Sequence, residues 1–118
     1  METQNDISKS LHSIAINAKD CLLLLETAFI HNSPGILKDC RGKLDSIKKT
    51  EAEVRARISG LLQRNPELKP YQEIAQRLYH IGEHIEKLFE AVNKKIKEDI
   101  LFSDRGLKEI NFLFNKLA

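Results

Sequence analysis

The chain has 118 residues, of which 42% are hydrophobic and 31% charged, and its formal net charge is +2. This length suits one domain, 1–118, with a single core, and the composition excludes a disordered chain. A charge so close to neutral excludes the basic field of a nucleic-acid-binding domain, and no apolar run approaches the roughly 20 residues of a membrane span. Cys21 and Cys40 fall on apolar positions, which predicts reduced, buried thiols and a cytoplasmic setting.

The first predicted element is a helix over about Asp6 to His31. Apolar residues follow one another there at alternating steps of three and four, as on one stripe of a helix: Ile7, Leu11, Ile14, Ala18, Cys21, Leu25 and Ala28. Its second half has further apolar residues outside that stripe: Leu22, Leu23, Leu24, Phe29 and Ile30. A helix that is apolar most of the way round must be covered on more than one side, so the sequence predicts a homodimer.

A second helix is predicted from Pro34, with Ser33 as its N-cap, to near Arg64. Its apolar stripe is interrupted by Glu51 and consists of Leu37, Cys40, Leu44, Ile47, Val54, Ile58 and Leu61. A carboxylate at a core-type position must be paired, hydrogen-bonded or coordinated. We favour pairing with a neighbouring Lys or Arg, and a functional role for Glu51 is the alternative. Basic residues outnumber acidic ones along this helix, which we interpret as a solvated face or, less readily, as a surface for an acidic partner.

A third helix is predicted from near Pro70 to about Glu98, followed by a short fourth helix that begins after Ser103. The third helix has the apolar stripe Tyr71, Ile74, Leu78, Ile81, Ile85, Leu88, Val92 and Ile96, and the fourth has Leu107, Ile110, Leu113, Phe114 and Leu117. Three long helices with short connections predict an all-α fold. Its form is an antiparallel up-down-up bundle, with the short C-terminal fourth helix folded back along it.

Metal-type ligands cluster in the third helix, at His80, Glu83 and His84. They fit the pattern H-x-x-E-H of one class of zinc protease, but that class builds its site in a larger mixed α/β domain. We therefore favour solvated surface side chains, and a metal site that Glu51 could join is the alternative. The glycines are scattered singly, so no phosphate-binding loop is predicted, and we expect no catalytic residues.

Three segments of the chain resemble PhoU-type phosphate-transport regulators. The segment LYHIGEHI at 78–85 resembles their L-E-R-I-G-D-H-A, and LFSDRGLKEI at 101–110 resembles their F-S-x-x-A-x-x-E-L. The segment at 47–58, which contains Glu51, looks like the helix with their first E-x-x-x-D motif. The resemblance implies a single PhoU-like three-helix repeat.

The same resemblance implies a non-enzymatic regulatory or accessory domain of phosphate transport. Such a domain would contact a transporter, a sensor or the membrane component of a sodium-phosphate cotransporter, in the cytoplasm or at the inner membrane through that partner. The family's acidic motifs bind divalent or iron-type metals, but here Arg55 replaces the first motif's aspartate and Tyr79 the second motif's glutamate. A metal-binding bundle with metal-dependent activity, and a generic helical adaptor, are the alternatives.

Overall fold

A computed structural model of the chain contains three α-helices and one short 3₁₀ turn. The helices are α1 (Glu2–His31), α2 (Pro34–Leu61) and α3 (Lys69–Leu117), and the 3₁₀ turn is Pro66–Leu68. The structure describes the backbone of residues 2–117 and the side chains of 3–101, 105, 106, 108, 109, 112 and 115. This backbone contains no strand, and none of its helices is long and apolar enough to cross a membrane. The predicted all-α helical bundle is confirmed.

The turn between α1 and α2 reverses the chain within two residues. Asn32 adopts a left-handed backbone conformation (φ 49°), which asparagine tolerates better than most residues and which ends α1. The predicted N-cap is confirmed, because the Ser33 hydroxyl accepts a hydrogen bond of 3.2 Å from the Ile36 amide. Pro34 then occupies the first turn of α2, where its missing N–H is not needed. The tight turn places α1 and α2 side by side and antiparallel.

The connection from α2 to α3 lies where the sequence predicts the second helix to end and the third to begin. The helix α2 ends at Leu61, three residues before the predicted end, and the amides of Arg64 and Asn65 donate to the Leu61 carbonyl. The 3₁₀ turn follows, and Leu68 at its end is 1% exposed. By burying Leu68, this connection fixes the direction in which α3 leaves it.

The core lies along the axis of the bundle, between the three helices. It includes the whole predicted stripe of α1, and on α2 it comprises Leu37, Cys40, Leu44, Ile47, Val54 and Ile58, with Glu51 among them. Residues spaced in this way keep one seam of each helix against its neighbours, as in other antiparallel bundles. The predicted stripe of α1 is therefore confirmed, and that of α2 is confirmed up to Ile58, whereas its last predicted member, Leu61, is only partly buried.

The predicted stripe of α3 is only partly correct. Leu78, Ile85, Val92 and Ile96 are buried, but Ile74, Ile81 and Leu88 are 44%, 41% and 50% exposed. Ala75 and Gly82 are buried instead, one position further along the chain. Either the isoleucines or the smaller Ala75 and Gly82 can lie next to the buried residues of α3. Burying the smaller pair allows α3 to pack more closely against α1 and α2.

The predicted break at Ser103 and the separate fourth helix are absent from the described backbone. The helix α3 runs without interruption for 49 residues, through Ser103 and Gly106. Residues 98–117 contain no proline, and a glycine in a helix costs only about 1 kcal/mol relative to alanine. At about 1.5 Å per residue α3 is roughly 73 Å long, whereas α1 is roughly 45 Å. The end of α3 therefore extends past the bundle, and the molecule is 81 Å long.

Candidate functional site between α2 and α3

Glu51 is the one buried charged residue among the described side chains, with 4% of its surface exposed. The heptad rhythm of α2 places it in the core, between Ile47 and Val54. Its nearest cation is Arg55, one helical turn along, whose Nε lies 3.5 Å from Oε1. That oxygen accepts no hydrogen bond from any described residue. The predicted pairing with a neighbouring cation is confirmed, but it leaves Oε1 without a hydrogen-bond donor.

The protonation of Glu51 follows from this environment. Burial raises the pKa of the carboxyl group, and the nearby charge of Arg55 lowers it by a smaller amount. A buried acceptor without a donor costs on the order of 1–3 kcal/mol of stability. The carboxyl group can relieve this cost by binding a proton or by accepting a hydrogen bond from a ligand.

A pocket of about 110 Å³ opens over Glu51 between α2 and α3, and we call it the Glu51 pocket. Gly82 leaves room in its wall because it has no side chain. The guanidinium of Arg55 stacks 4.5 Å from the centre of the Tyr79 ring, a cation–π contact that joins the two helices. The other lining residues are Ile47, Lys48, Ala52, Leu78 and Glu83. The pocket thus combines an apolar wall with charges of both signs.

A network of ion pairs holds α2 against α3 next to this pocket. Arg41 donates to Glu86 at 2.5 Å and to Asp45 at 2.6 Å, and Lys48 lies 3.5 Å from Glu86 and 3.6 Å from Glu83. The hydrogen bond from Arg41 is the main cause that lowers the pKa of Glu86. The sequence did not reveal this network, because its partners are far apart along the chain and only the fold brings them together.

The basic residues of α2 also reach α1. Lys43 lies 3.6 Å from Asp20, and Arg57 lies 3.9 Å from Asp6. Much of the basic excess of α2 is therefore paired within the bundle. The side chains of these cations remain 31–49% exposed, which agrees with the interpretation of that face as solvated, and the surface for an acidic partner stays a prediction.

The predicted metal ligands are only partly brought together. Glu83 lines the same pocket as Glu51, whereas His80 and His84 are exposed and do not line it. The His80 ring instead packs edge-on against Tyr79, with 5.5 Å between the ring centres. Among the described residues, no group of three or more His, Cys, Asp or Glu side chains could hold a metal ion. These residues therefore do not fit the metal cluster that the resemblance to PhoU-type proteins implies.

The large exposed apolar side chains of the described residues lie on α1 and α3. In α1 they are Ile16, Leu22, Leu23, Phe29 and Ile30, whereas the described part of α2 has none. A groove of about 340 Å³ runs between α1 and α3, beside Leu22, Phe29 and Leu88. The surplus apolar surface predicted for α1 is thus confirmed, with Leu24 partly buried. Apolar patches of this kind are typical of interaction surfaces.

Comparison with known proteins finds no matching family model, no matching curated protein and no matching solved structure.

Proposed function

We propose that this chain is a non-enzymatic regulatory domain that acts by protein–protein contact, with the Glu51 pocket as the point of contact. The observation that supports this is the buried Glu51 Oε1, which lies in the core and accepts no hydrogen bond within the described part of the chain. Such a carboxylate lowers the stability of the fold, and residues of this kind are enriched at functional sites.

The pocket suits a donor group from a partner protein. A Lys ammonium or an amide N–H entering it would satisfy Glu51 Oε1 and lie close to Glu83, which shares the pocket. To admit the group, the Arg55 guanidinium would leave its contact with the Tyr79 ring, because both side chains line the pocket. A volume of about 110 Å³ is well below the roughly 300–1,000 Å³ of a typical small-molecule site. The size therefore favours a single protein side chain over a metabolite.

The link to phosphate transport is part of this proposal and comes from the resemblance to PhoU-type regulators. Two of the three resembling segments, 47–58 and 78–85, supply all the lining residues of the Glu51 pocket. The partner would be a phosphate transporter, its sensor or the membrane component of a sodium-phosphate cotransporter. The chain would then lie in the cytoplasm, at the inner membrane through that partner.

The test replaces Glu51 and compares stability with partner binding. Glu51→Leu should raise the thermal stability, because an apolar side chain suits the core position, and should abolish co-purification of the phosphate transporter from solubilised membranes. Phosphate uptake in the host cell should lose its regulation in parallel. Lys49→Ala, on the exposed side of α2, is the matched control and should change neither property. Unchanged transporter binding by Glu51→Leu would overturn the proposal.

The alternative proposal is that the chain is a generic helical adaptor without a role in phosphate transport. It would use the same pocket for a partner unconnected with phosphate. Phosphate uptake measured in cells that lack the chain distinguishes the two proposals. Normal regulation of uptake in these cells would favour the adaptor. Elemental analysis of the purified protein, with His84→Ala beside it, tests the metal-binding alternative separately.

A further inference from the structure

A continuous strip of exposed residues runs along the outer side of α1. It has two apolar rows in which residues repeat every seven positions: Ala15, Leu22 and Phe29 in one, Ile16, Leu23 and Ile30 in the other. The five large side chains among them are 40–61% exposed. Between the rows lie Lys19 and Glu26. We call this surface the α1 strip, and its seven-residue spacing is that of a helix that packs along a second helix.

We propose that the α1 strip binds the α1 strip of a second copy of this chain, with the two helices antiparallel. The twofold axis would cross the interface at the level of Leu22 and Leu23. This surface lies away from the α2 and α3 residues that form the Glu51 pocket, so the inference does not depend on the proposed function.

The charges in the middle of the strip select the antiparallel arrangement. An axis at Leu22 and Leu23 places Lys19 of each copy opposite Glu26 of the other, so two ion pairs form. Parallel helices would instead place Lys19 against Lys19 and Glu26 against Glu26. Within the described part of the chain neither residue belongs to an ion pair. Their charges are therefore available for a second copy, and complementary charges set the orientation of a pair.

The side chains of the two rows are also complementary about this axis. Leu22 and Leu23 would each meet their own counterparts, as residues beside the axis of a symmetric interface do. Ala15 would lie opposite Phe29, so the smallest residue of the strip faces the largest. Ile16 would lie opposite Ile30. The same axis places α3 of both copies on the same side of the interface, where the exposed Leu88 adds to the apolar contact.

The size of the surface suits a dimer. From Ala15 to Ile30 the strip is about 24 Å long at about 1.5 Å per residue. Because α3 lies beside the strip, the exposed face is two helices wide, or roughly 20 Å. This width and the length of the strip together give a footprint of about 500 Å². This lies at the upper end of the apolar patches of monomers, and a polar rim would bring it towards the roughly 800 Å² per partner of a stable complex.

Charge reversal in α1 tests the proposal by sedimentation velocity over a series of concentrations. The wild-type chain should be a dimer, and Lys19→Glu and Glu26→Lys should each weaken dimerisation by about tenfold or more, because each places like charges together twice. The double variant, with both substitutions, should regain the wild-type affinity. Leu23→Glu should yield a monomer. Lys49→Glu on α2 is the control and should leave the dimer unchanged, and circular dichroism should show that all variants are folded.

Two results would overturn the dimer. One is a wild-type chain that remains monomeric up to roughly 100 μM, a concentration at which even a weak dimer forms. The other is a double variant that is no better than the single ones, which would exclude the pairing of Lys19 with Glu26. In either case the effect of Glu51→Leu on transporter binding would still decide the proposed function.

Discussion

Cys21 and Cys40 face each other across the interface of α1 and α2, with their Sγ atoms 3.2 Å apart. Each thiol also lies within hydrogen-bonding distance of the other residue's backbone carbonyl, at 3.7 and 3.5 Å. Both side chains are fully buried. Burial, with a smaller contribution from the contact with Cys21, raises the pKa of Cys40 to about 12. The Cys40 thiol is therefore protonated at neutral pH, and both side chains pack as small apolar groups.

We expect both cysteines to resist alkylation in the folded protein. The thiolate is the reactive form, and a pKa of about 12 leaves very little of it for Cys40 at about pH 8. Iodoacetamide should modify neither residue in the native protein and both residues in urea, as measured by mass spectrometry. An introduced cysteine at the exposed position of Lys49 is the positive control and should react at once. Modification of native Cys40 at the rate of that control would contradict the buried pair.

The stability of the fold should depend on pH through Glu51. Because its pKa is raised above the ordinary 4.5, mainly by burial, the folded protein binds this proton more tightly than the unfolded chain does. The contribution of Glu51 to the free energy of unfolding is therefore fully present below pH 4.5 and is lost as the pH rises through the raised pKa.

Glu51→Gln removes this titration, so the stability of the variant relative to the wild type should increase from about pH 4 to about pH 7. Urea unfolding at a series of pH values measures the difference. A difference that does not change with pH would show that the carboxyl group titrates alike in the folded and unfolded states.

The hydrogen bond between Arg41 and Glu86 should have the opposite pH dependence. The pKa of Glu86 is lowered, so its contribution to stability is present above pH 4.5 and is lost as the pH falls through the lowered pKa. At neutral pH, Glu86→Gln should cost about 1 kcal/mol, because both side chains remain partly exposed and solvent screens the pair. Asp45→Asn removes the more exposed partner of Arg41 and should cost much less. Equal losses of unfolding free energy in the two variants would show that the pair with Glu86 stabilises the fold no more than the pair with Asp45.

The sequence predicted α1 and α2 well because each has a single apolar seam that can face the core. In α3 two sets of residues, one with Ile74 and Ile81 and one with Ala75 and Gly82, fit the same spacing. The choice between them depends on how closely the helices pack, which the residue pattern does not specify. Glu51 was identified because it interrupts a regular stripe, whereas the pairing of Arg41 with Glu86 depends on contacts between distant parts of the chain.

Gly106 tests whether α3 is continuous or breaks near Ser103. In a continuous helix the glycine is a weak point, and nothing lies within 4 Å of a Cβ added there. Gly106→Ala should therefore stabilise this part of α3 by up to about 1 kcal/mol and slow hydrogen exchange of the backbone amides around it. Gly42→Ala in α2 is the matched control, because it is also helical with open space around it, and it should give a gain of similar size. In a chain that turned back near Ser103, a glycine could supply a left-handed conformation that alanine resists. Faster exchange in Gly106→Ala, with the expected gain in Gly42→Ala, would therefore support a separate fourth helix.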